Sequence, residues 1–317
     1  MKQEQCSLKG GCMEKYLIIG AGAVGSRVAR QVAVQGHRAV VVSRRGGGPS
    51  HANIETHAAD AADTATLTRL AEGASAVFNC ANPEYHKWPT DWPPIANALL
   101  AVSEASGATL VTLSNLYAYG QPQGPMTPHD PLNATYEKAQ VRAKMWRDAL
   151  SLHEQGRIRA VEVRASDFIG PGANAVLGER VIPRVLVGKK VSVLGDVTAP
   201  HSWTYVDDVA TTLVACAQHE SSWGRAWHAP TNAPRSAVEA VNDIADVAGV
   251  PHVKVGAVPK AVLRVGGIFS PLLRELPKTM YQFEVPFIID DTETRDTLHL
   301  SPTPWNEVLA DSIAAFR

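Results

Sequence analysis

Gly20, Gly22 and Gly25, in the run Gly20-Ala21-Gly22-Ala23-Val24-Gly25, have the spacing of a turn built to receive a diphosphate. Each glycine answers a separate need. Gly20 permits a tight turn, Gly22 lets backbone approach a pyrophosphate, and Gly25 lets a helix pack closely on a strand. A helix opening at Ala23 and Val24 would point free N–H groups and the positive end of its dipole at the phosphates. Further on, Ser43-Arg44-Arg45 stands where a strand should end. An acidic residue there would accept hydrogen bonds from a ribose 2′-hydroxyl, whereas a guanidinium pairs with a 2′-phosphate. NADP(H) is therefore expected in preference to NAD(H). The loop Gly46-Gly47-Gly48-Pro49 would not obstruct that phosphate, and Asp60 is placed to reach an adenine amino group.

The elements that must position these groups follow a βα rhythm. The apolar run 16–19 reads as a buried parallel strand, and Val24, Val28 and Val32 mark one face of the next helix. Gly36 ends that helix, and residues 39–42, 53–57, 76–81 and 109–113 read as further strands. In an open parallel sheet, ligands sit beyond the carboxyl ends of the strands. That places Asn79, Cys80 and Ala81 beside the cofactor, and Ser114 and Asn115 near the reacting end.

Bulk properties bound the partners. The chain has 317 residues, 45% hydrophobic and 19% charged, with a formal net charge of -1. This is a globular balance with no electrostatic reason to expect nucleic acid or an anionic membrane. No apolar run reaches the ~20 residues of a membrane span. Residues 1–13 lack an apolar core and read as a short flexible leader rather than a secretory signal. Four scattered cysteines fit a reducing cytoplasm. Cys6 and Cys12 have no second ligand pair nearby and the eleven histidines show no HExxH spacing, so no metal site is expected.

Beyond the glycine motif, HAADAAD (57–63), LSNLYAYG (113–120), VRASDFIGPG (163–172), WTYVDDVA (203–210) and SAVEAVNDIADVAG (236–249) can be read together. With them the chain resembles the extended short-chain dehydrogenase/reductases, the NAD(P)-dependent epimerases and dehydratases. The resemblance implies an α/β fold, a Rossmann-type doubly wound parallel sheet with a smaller carboxyl-terminal α/β substrate domain. The dinucleotide domain would comprise residues 14–165 and about 203–227, and the substrate domain about 166–202 and 228–317. It also implies cofactor contacts at Ala165, Ser166 and Phe168, and a homodimer through helices near 92–106 and 136–152.

In that family a Ser or Thr, a Tyr and a Lys do the work, and two of the three differ here. The hydroxyl position is Asn115, with Ser114 beside it, and the Tyr-x-x-x-Lys element reads Tyr136-Glu137-Lys138-Ala139-Gln140. A free phenol has a pKa of ~10, so about one in a thousand is ionised at neutral pH. A cation within ~4–6 Å would favour the phenolate, and Gln140 supplies none. Helical spacing turns Lys138 to another side than Tyr136. Three roles for Tyr136 stay open: an acid working without the lysine, a contact residue with Tyr117, Asn115 or Lys138 acting instead, or a member of a silent site.

Nucleotide-sugar members of the family carry an arginine where this chain has His201, which weakens a phosphate contact. Aromatic residues stand nearby in the chain, Trp88 and Trp92 in one loop and Met280, Tyr281 and Phe283 in a late segment. Expected substrate contacts are Asn82, Trp88, Tyr117, Asn133, His201, Trp203 and Tyr281, around a small, partly apolar carbonyl compound. The expected activity is NADP(H)-dependent reduction or oxidation. A non-redox isomerase or lyase, and a silent NADP-binding sensor, are the alternatives. Asp207 and Asp208 read as structural, one of them capping the helix that follows.

Overall fold

The computed structural model describes residues 13–173, 175–259 and 278–317. The expected leader, with Cys6 and Cys12, lies outside the described residues except for Met13. The first half of the chain alternates strands and helices: β1 (Lys15–Ile19), α1 (Ala23–Val34), β2 (Arg38–Ser43), β3 (Ile54–Ala58), α2 (Thr64–Ala71), β4 (Ala76–Asn79), α3 (Trp88–Ser106), β5 (Thr109–Ser114), α4 (Glu137–Glu154) and β6 (Ala160–Arg164). The second half holds β7 (Asp167–Ile169), α5 (Ile182–Leu186), β8 (Val191–Val193), β9 (Trp203–Tyr205), α6 (Val206–Gln218), β10 (Ala226–His228), α7 (Ala237–Ala248) and β11 (Val255–Ala257).

Seven parallel strands form the central sheet in the order β10-β6-β5-β4-β1-β2-β3. Strand residues alternate between two cores. Tyr16, Ile18, Ala39, Val41 and Phe78 face α1 and α6, whereas Leu17, Ile19, Val40, Val42 and Val77 face α2, α3 and α4. Both faces are covered, which is why these strands read as near-continuous apolar runs.

The winding direction reverses at β1. Ile19 lies opposite Val42 on one side and Asn79 on the other, so the carboxyl ends of β1, β2 and β4 meet at the switch point where open α/β sheets bind ligands. Outside this sheet, β7 pairs with β9 and β8 with β11. The helix at 236–249 starts as its sequence requires: Ser236 accepts from the Glu239 N–H, and Glu239 reaches back to the Ser236 N–H.

One helix start departs from expectation. Neither Asp207 nor Asp208 caps α6, whose cap residue is Tyr205 with no side-chain hydrogen bond. Both lie inside the first turn and join distant segments instead. Asp207 accepts from the Arg27 Nε at 2.6 Å, and Asp208 accepts from the Thr303 N–H and hydroxyl at 2.9 and 2.6 Å.

A buried polar chain ties the sheet to the carboxyl-terminal segment. Arg164 donates to Glu162 (2.7 Å) and to the Tyr119 hydroxyl (2.6 Å), which meets His228 Nε2 at 2.8 Å. His228 Nδ1 lies 2.8 Å from the Asp290 carbonyl oxygen and must donate to it, so Nε2 accepts from Tyr119.

Candidate active site

A cavity of about 860 Å³ opens over the carboxyl ends of β1, β2 and β4. Its floor is the glycine turn. Gly20 has φ of 109°, a left-handed conformation, and a Cβ there would stand 2.5 Å from the Cys80 carbonyl oxygen. A Cβ on Gly25 would collide with the Gly20 carbonyl oxygen and press on the Cys80 side chain. Gly22, by contrast, has nothing within 4 Å of its missing Cβ. It is the cap residue of α1, which has neither a capping side chain nor an acid in its first turn. Open space and uncapped N–H groups together suit a pyrophosphate.

The rim carries hydroxyl and basic side chains. Ser43, Arg44 and Arg45 line the cavity, and Ser43 donates to the Gly47 carbonyl at 2.9 Å, closing the loop into a turn. Asp60 is also in the lining, its carboxylate held by the Ala62 N–H at 2.8 Å. Cys80, Ala81 and Asn82 complete the opposite wall with Thr90 and Asp91 from α3. Arg30 was not anticipated from the sequence, yet it lines the same cavity. The signal was available, because Arg30 lies one helical turn beyond Ser26, another lining residue.

The remaining expected cofactor positions do not line this space. Ala23 and Val24 belong to the first turn of α1, with Val24 in the core; Asn79 and Ala165 are buried at strand ends. Ser166 is buried with its hydroxyl unpaired, and Phe168 packs on the core from β7. The residues present fit a dinucleotide on the adenosine and diphosphate side.

The tyrosines gather beyond β5. Tyr136 is the cap residue of α4 rather than a residue within it, and its ring lies 6.2 Å from that of Tyr117. Tyr117 in turn contacts Tyr85 (6.2 Å) and Trp88 (5.8 Å). The Lys138 Nζ stands 4.0 Å over the Tyr85 ring, a cation–π contact. Lys138 therefore joins the cluster that holds Tyr136. Its ammonium lies over Tyr85, and Tyr136 itself stands just before the helix. Gln140 is exposed on the outer face of α4.

Burial sets the character of these phenols. The Tyr136 hydroxyl is buried against that of Tyr281, and desolvation drives its pKa far above 10, with Tyr281 and Tyr117 adding to the shift. Tyr117 is raised in the same way, by desolvation and then by the Asp167 charge. The Tyr281 hydroxyl is buried and its pKa raised by desolvation. Asn115 accepts from the Tyr117 N–H at 3.2 Å, which fixes its side chain, while Ser114 is buried at the end of β5.

Several expected substrate contacts are committed elsewhere. Trp88 and Trp92 do not line the cavity. They open α3 and point into the core, where the Arg142 guanidinium lies 4.6 Å from the Trp92 ring. His201 faces Asp167 (2.9 Å) through Nε2 and the Gln282 carbonyl (3.1 Å) through Nδ1, and stacks on Phe283 and Phe287. Trp203 is buried and donates to the Arg235 carbonyl at 2.9 Å. Asn133 is exposed before α4. Tyr85, Asp167 and Gln282 belong to this region and were not anticipated, since each comes from a segment distant in sequence. Among the described residues no group of three or more His, Cys, Asp or Glu could hold a metal ion. Nor is any helix of the described residues long and apolar enough to cross a membrane.

Comparison with known proteins places this geometry. Residues 16–228 match the family model described as the NAD dependent epimerase/dehydratase family. Similar solved structures include a UDP-glucose 4-epimerase from Thermotoga maritima bound to UDP-glucose, 17% identical, TM-score 0.79, covering 96% of this chain and 98% of that one. A dTDP-glucose 4,6-dehydratase, DesIV from Streptomyces venezuelae, bound to NAD, is also 17% identical with a TM-score of 0.77 over 96% and 97% of the two chains. MoeE5, in complex with UDP-glucose and NAD, is 22% identical, TM-score 0.75, over 96% and 98%. No curated protein matches the chain. At these identities the structures establish the fold.

Proposed function

Because the chain belongs to the NAD dependent epimerase/dehydratase family, we propose that it binds NADP(H) and reduces, or reversibly oxidises, a carbonyl on a small, partly apolar organic metabolite. The observation that carries the coenzyme choice is the rim of the cavity, where Ser43, Arg44 and Arg45 stand in place of an acid at the end of β2. Gly22 and the first turn of α1 would hold the diphosphate, Arg44 and Arg45 the 2′-phosphate, and Asp60 the adenine amino group. The bound nicotinamide supplies or accepts a hydride.

This chain's residues then handle the substrate oxygen. Asn115, fixed by its contact with the Tyr117 N–H, turns its amide toward the oxygen as a donor. Tyr136 is the candidate proton donor. Its burial keeps the proton on the phenol, available to a strongly basic alkoxide formed by hydride transfer, and leaves almost no phenolate to abstract a proton in the oxidative direction. His201 is engaged by Asp167 and Gln282, so no imidazole edge is offered to a substrate phosphate. The surrounding Tyr85, Tyr117 and Tyr281 suit an apolar body better than a sugar nucleotide. The chain after residue 165 supplies the substrate side, and a homodimer through α3 and α4 belongs to the same reading.

A second reading is a silent NADP(H)-binding protein, favoured by the burial of the Tyr136 hydroxyl and the exposed Gln140 where a lysine would stand. The test measures NADPH binding and then NADPH consumption across a panel of aldehydes and ketones. Tight binding with turnover supports the reductase, tight binding without turnover supports the silent protein, and no binding sinks both.

A further inference from the structure

Several arginines elsewhere are tied to carboxylates, Arg27 to Asp207, Arg157 to Glu104, Arg164 to Glu162 and Arg235 to Asp243, and others, Arg147, Arg159 and Arg184, donate to backbone carbonyls. Arg30, Arg44 and Arg45 are different. All three are exposed, all three line the one cavity, and none has a carboxylate partner among the described residues. Two carboxylates share the lining, and each accepts a hydrogen bond from a neutral donor. Asp60 accepts from the Ala62 N–H at 2.8 Å and Asp91 from the Thr90 hydroxyl at 3.0 Å. Three guanidinium groups against two carboxylates leave the lining with a net positive charge, which raises the local potential for an anion.

Their arrangement has two sides. Arg44 and Arg45 come from the loop after β2, whereas Arg30 comes from α1, one turn past Ser26 on the cavity-facing stripe. Helical side chains lean toward the amino end of their helix, which carries the Arg30 stem back toward Ser26 and the mouth of the cavity. The preceding arginine of α1, Arg27, does not line the cavity and is paired with Asp207 at 2.6 Å. A doubly charged phosphate has three oxygens and takes several charge-assisted hydrogen bonds at once.

We infer that Arg30 is a third ligand of the 2′-phosphate, gripping it from the helix side while Arg44 and Arg45 grip it from the loop. The inference rests on the NADP(H) reading above and makes Arg30 a residue that discriminates NADPH from NADH. The 5′-diphosphate, held at Gly22, is not its target.

Titration calorimetry with 2′,5′-ADP, 5′-AMP, NADPH and NADH, on the natural chain and on Arg30→Gln, tests this directly. Loss of one charge-assisted contact should weaken 2′,5′-ADP and NADPH by about tenfold to a hundredfold. Binding of 5′-AMP and NADH should stay within about twofold, which also shows that the variant is folded. The salt dependence of 2′,5′-ADP binding should become shallower in the variant. If Arg30→Gln binds 2′,5′-ADP as tightly as the natural chain, or loses 5′-AMP to the same degree, the assignment of Arg30 is overturned. If the natural chain itself holds 2′,5′-ADP no better than 5′-AMP, the NADP(H) reading fails first.

Discussion

A phenol that cannot ionise is a different reagent from one poised beside a lysine. Tyr136 is such a phenol, since its hydroxyl is buried and its pKa lies far above 10 through desolvation. Two consequences can be measured together on Tyr136→Phe. Removing a buried hydroxyl that meets only the Tyr281 hydroxyl should change stability by no more than about 1 kcal/mol, so the variant should stay folded with its Tm within a few degrees. If the hydroxyl protonates the substrate oxygen, kcat for NADPH-dependent reduction should fall by about a hundredfold or more while Kd for NADPH holds. A variant that is as stable and turns over at an undiminished rate would reduce Tyr136 to a packing contact. The rate in the reductive direction should also show no tyrosine ionisation between pH 6 and 9. The sequence revealed that the lysine was missing but not where Lys138 goes. Its place over Tyr85 depends on the fold bringing the segment before α3 against the start of α4, which helical spacing alone does not show.

Elements obey a stricter logic, and the glycine turn between β1 and α1 shows it. The three glycines of one motif do three separable jobs, so their alanine variants should separate too. Gly22 faces open space, and Gly22→Ala should fold with an unchanged Tm yet bind NADPH at least about tenfold more weakly, because the methyl occupies the phosphate approach. Gly25 is packed against Gly20 and Cys80, and Gly25→Ala should cost about 1–3 kcal/mol of stability by overpacking, whether or not cofactor is present. Urea unfolding and titration calorimetry on both variants check the contrast, and equal stability losses would refute it. At α7 the reciprocal cap predicts a loss of about 1 kcal/mol for Ser236→Ala. These elements were legible because their chemistry is local: glycine conformations, apolar alternation and the Ser-x-x-Glu cap all act within a few residues. The Asp207 and Asp208 roles were not. Their partners Arg27 and Thr303 are brought to α6 by topology alone, and so a cap was expected where the structure has cross-links.

At the scale of the whole molecule, sheet and carboxyl-terminal segment are joined through one buried imidazole. His228 ends β10, accepts from the Tyr119 hydroxyl and donates to the Asp290 carbonyl; Arg164, Asp130 and Asp290 are the charges that bear on it. No sequence pattern singled it out, because a lone histidine at a strand end shows its burial only once residues 119, 164 and 290 have converged. Desolvation lowers its pKa from 6.5 to about 4, so it folds neutral and is charged when unfolded below pH 6.5. The unfolded chain therefore binds one more proton between those values. The sign follows: stability from this group is present above pH 6.5 and is lost as the pH falls toward 4. At about 1.4 kcal/mol per pH unit, the loss across that window is about 3 kcal/mol. Urea unfolding of the natural chain should steepen in its pH dependence over this range. His228→Gln has no titrating group and should show a shallower fall by about that amount, with the remaining slope due to carboxylates in both proteins. Parallel curves for the two would mean that the imidazole is already charged in the fold and that the Arg164–Tyr119–His228 chain is oriented the other way.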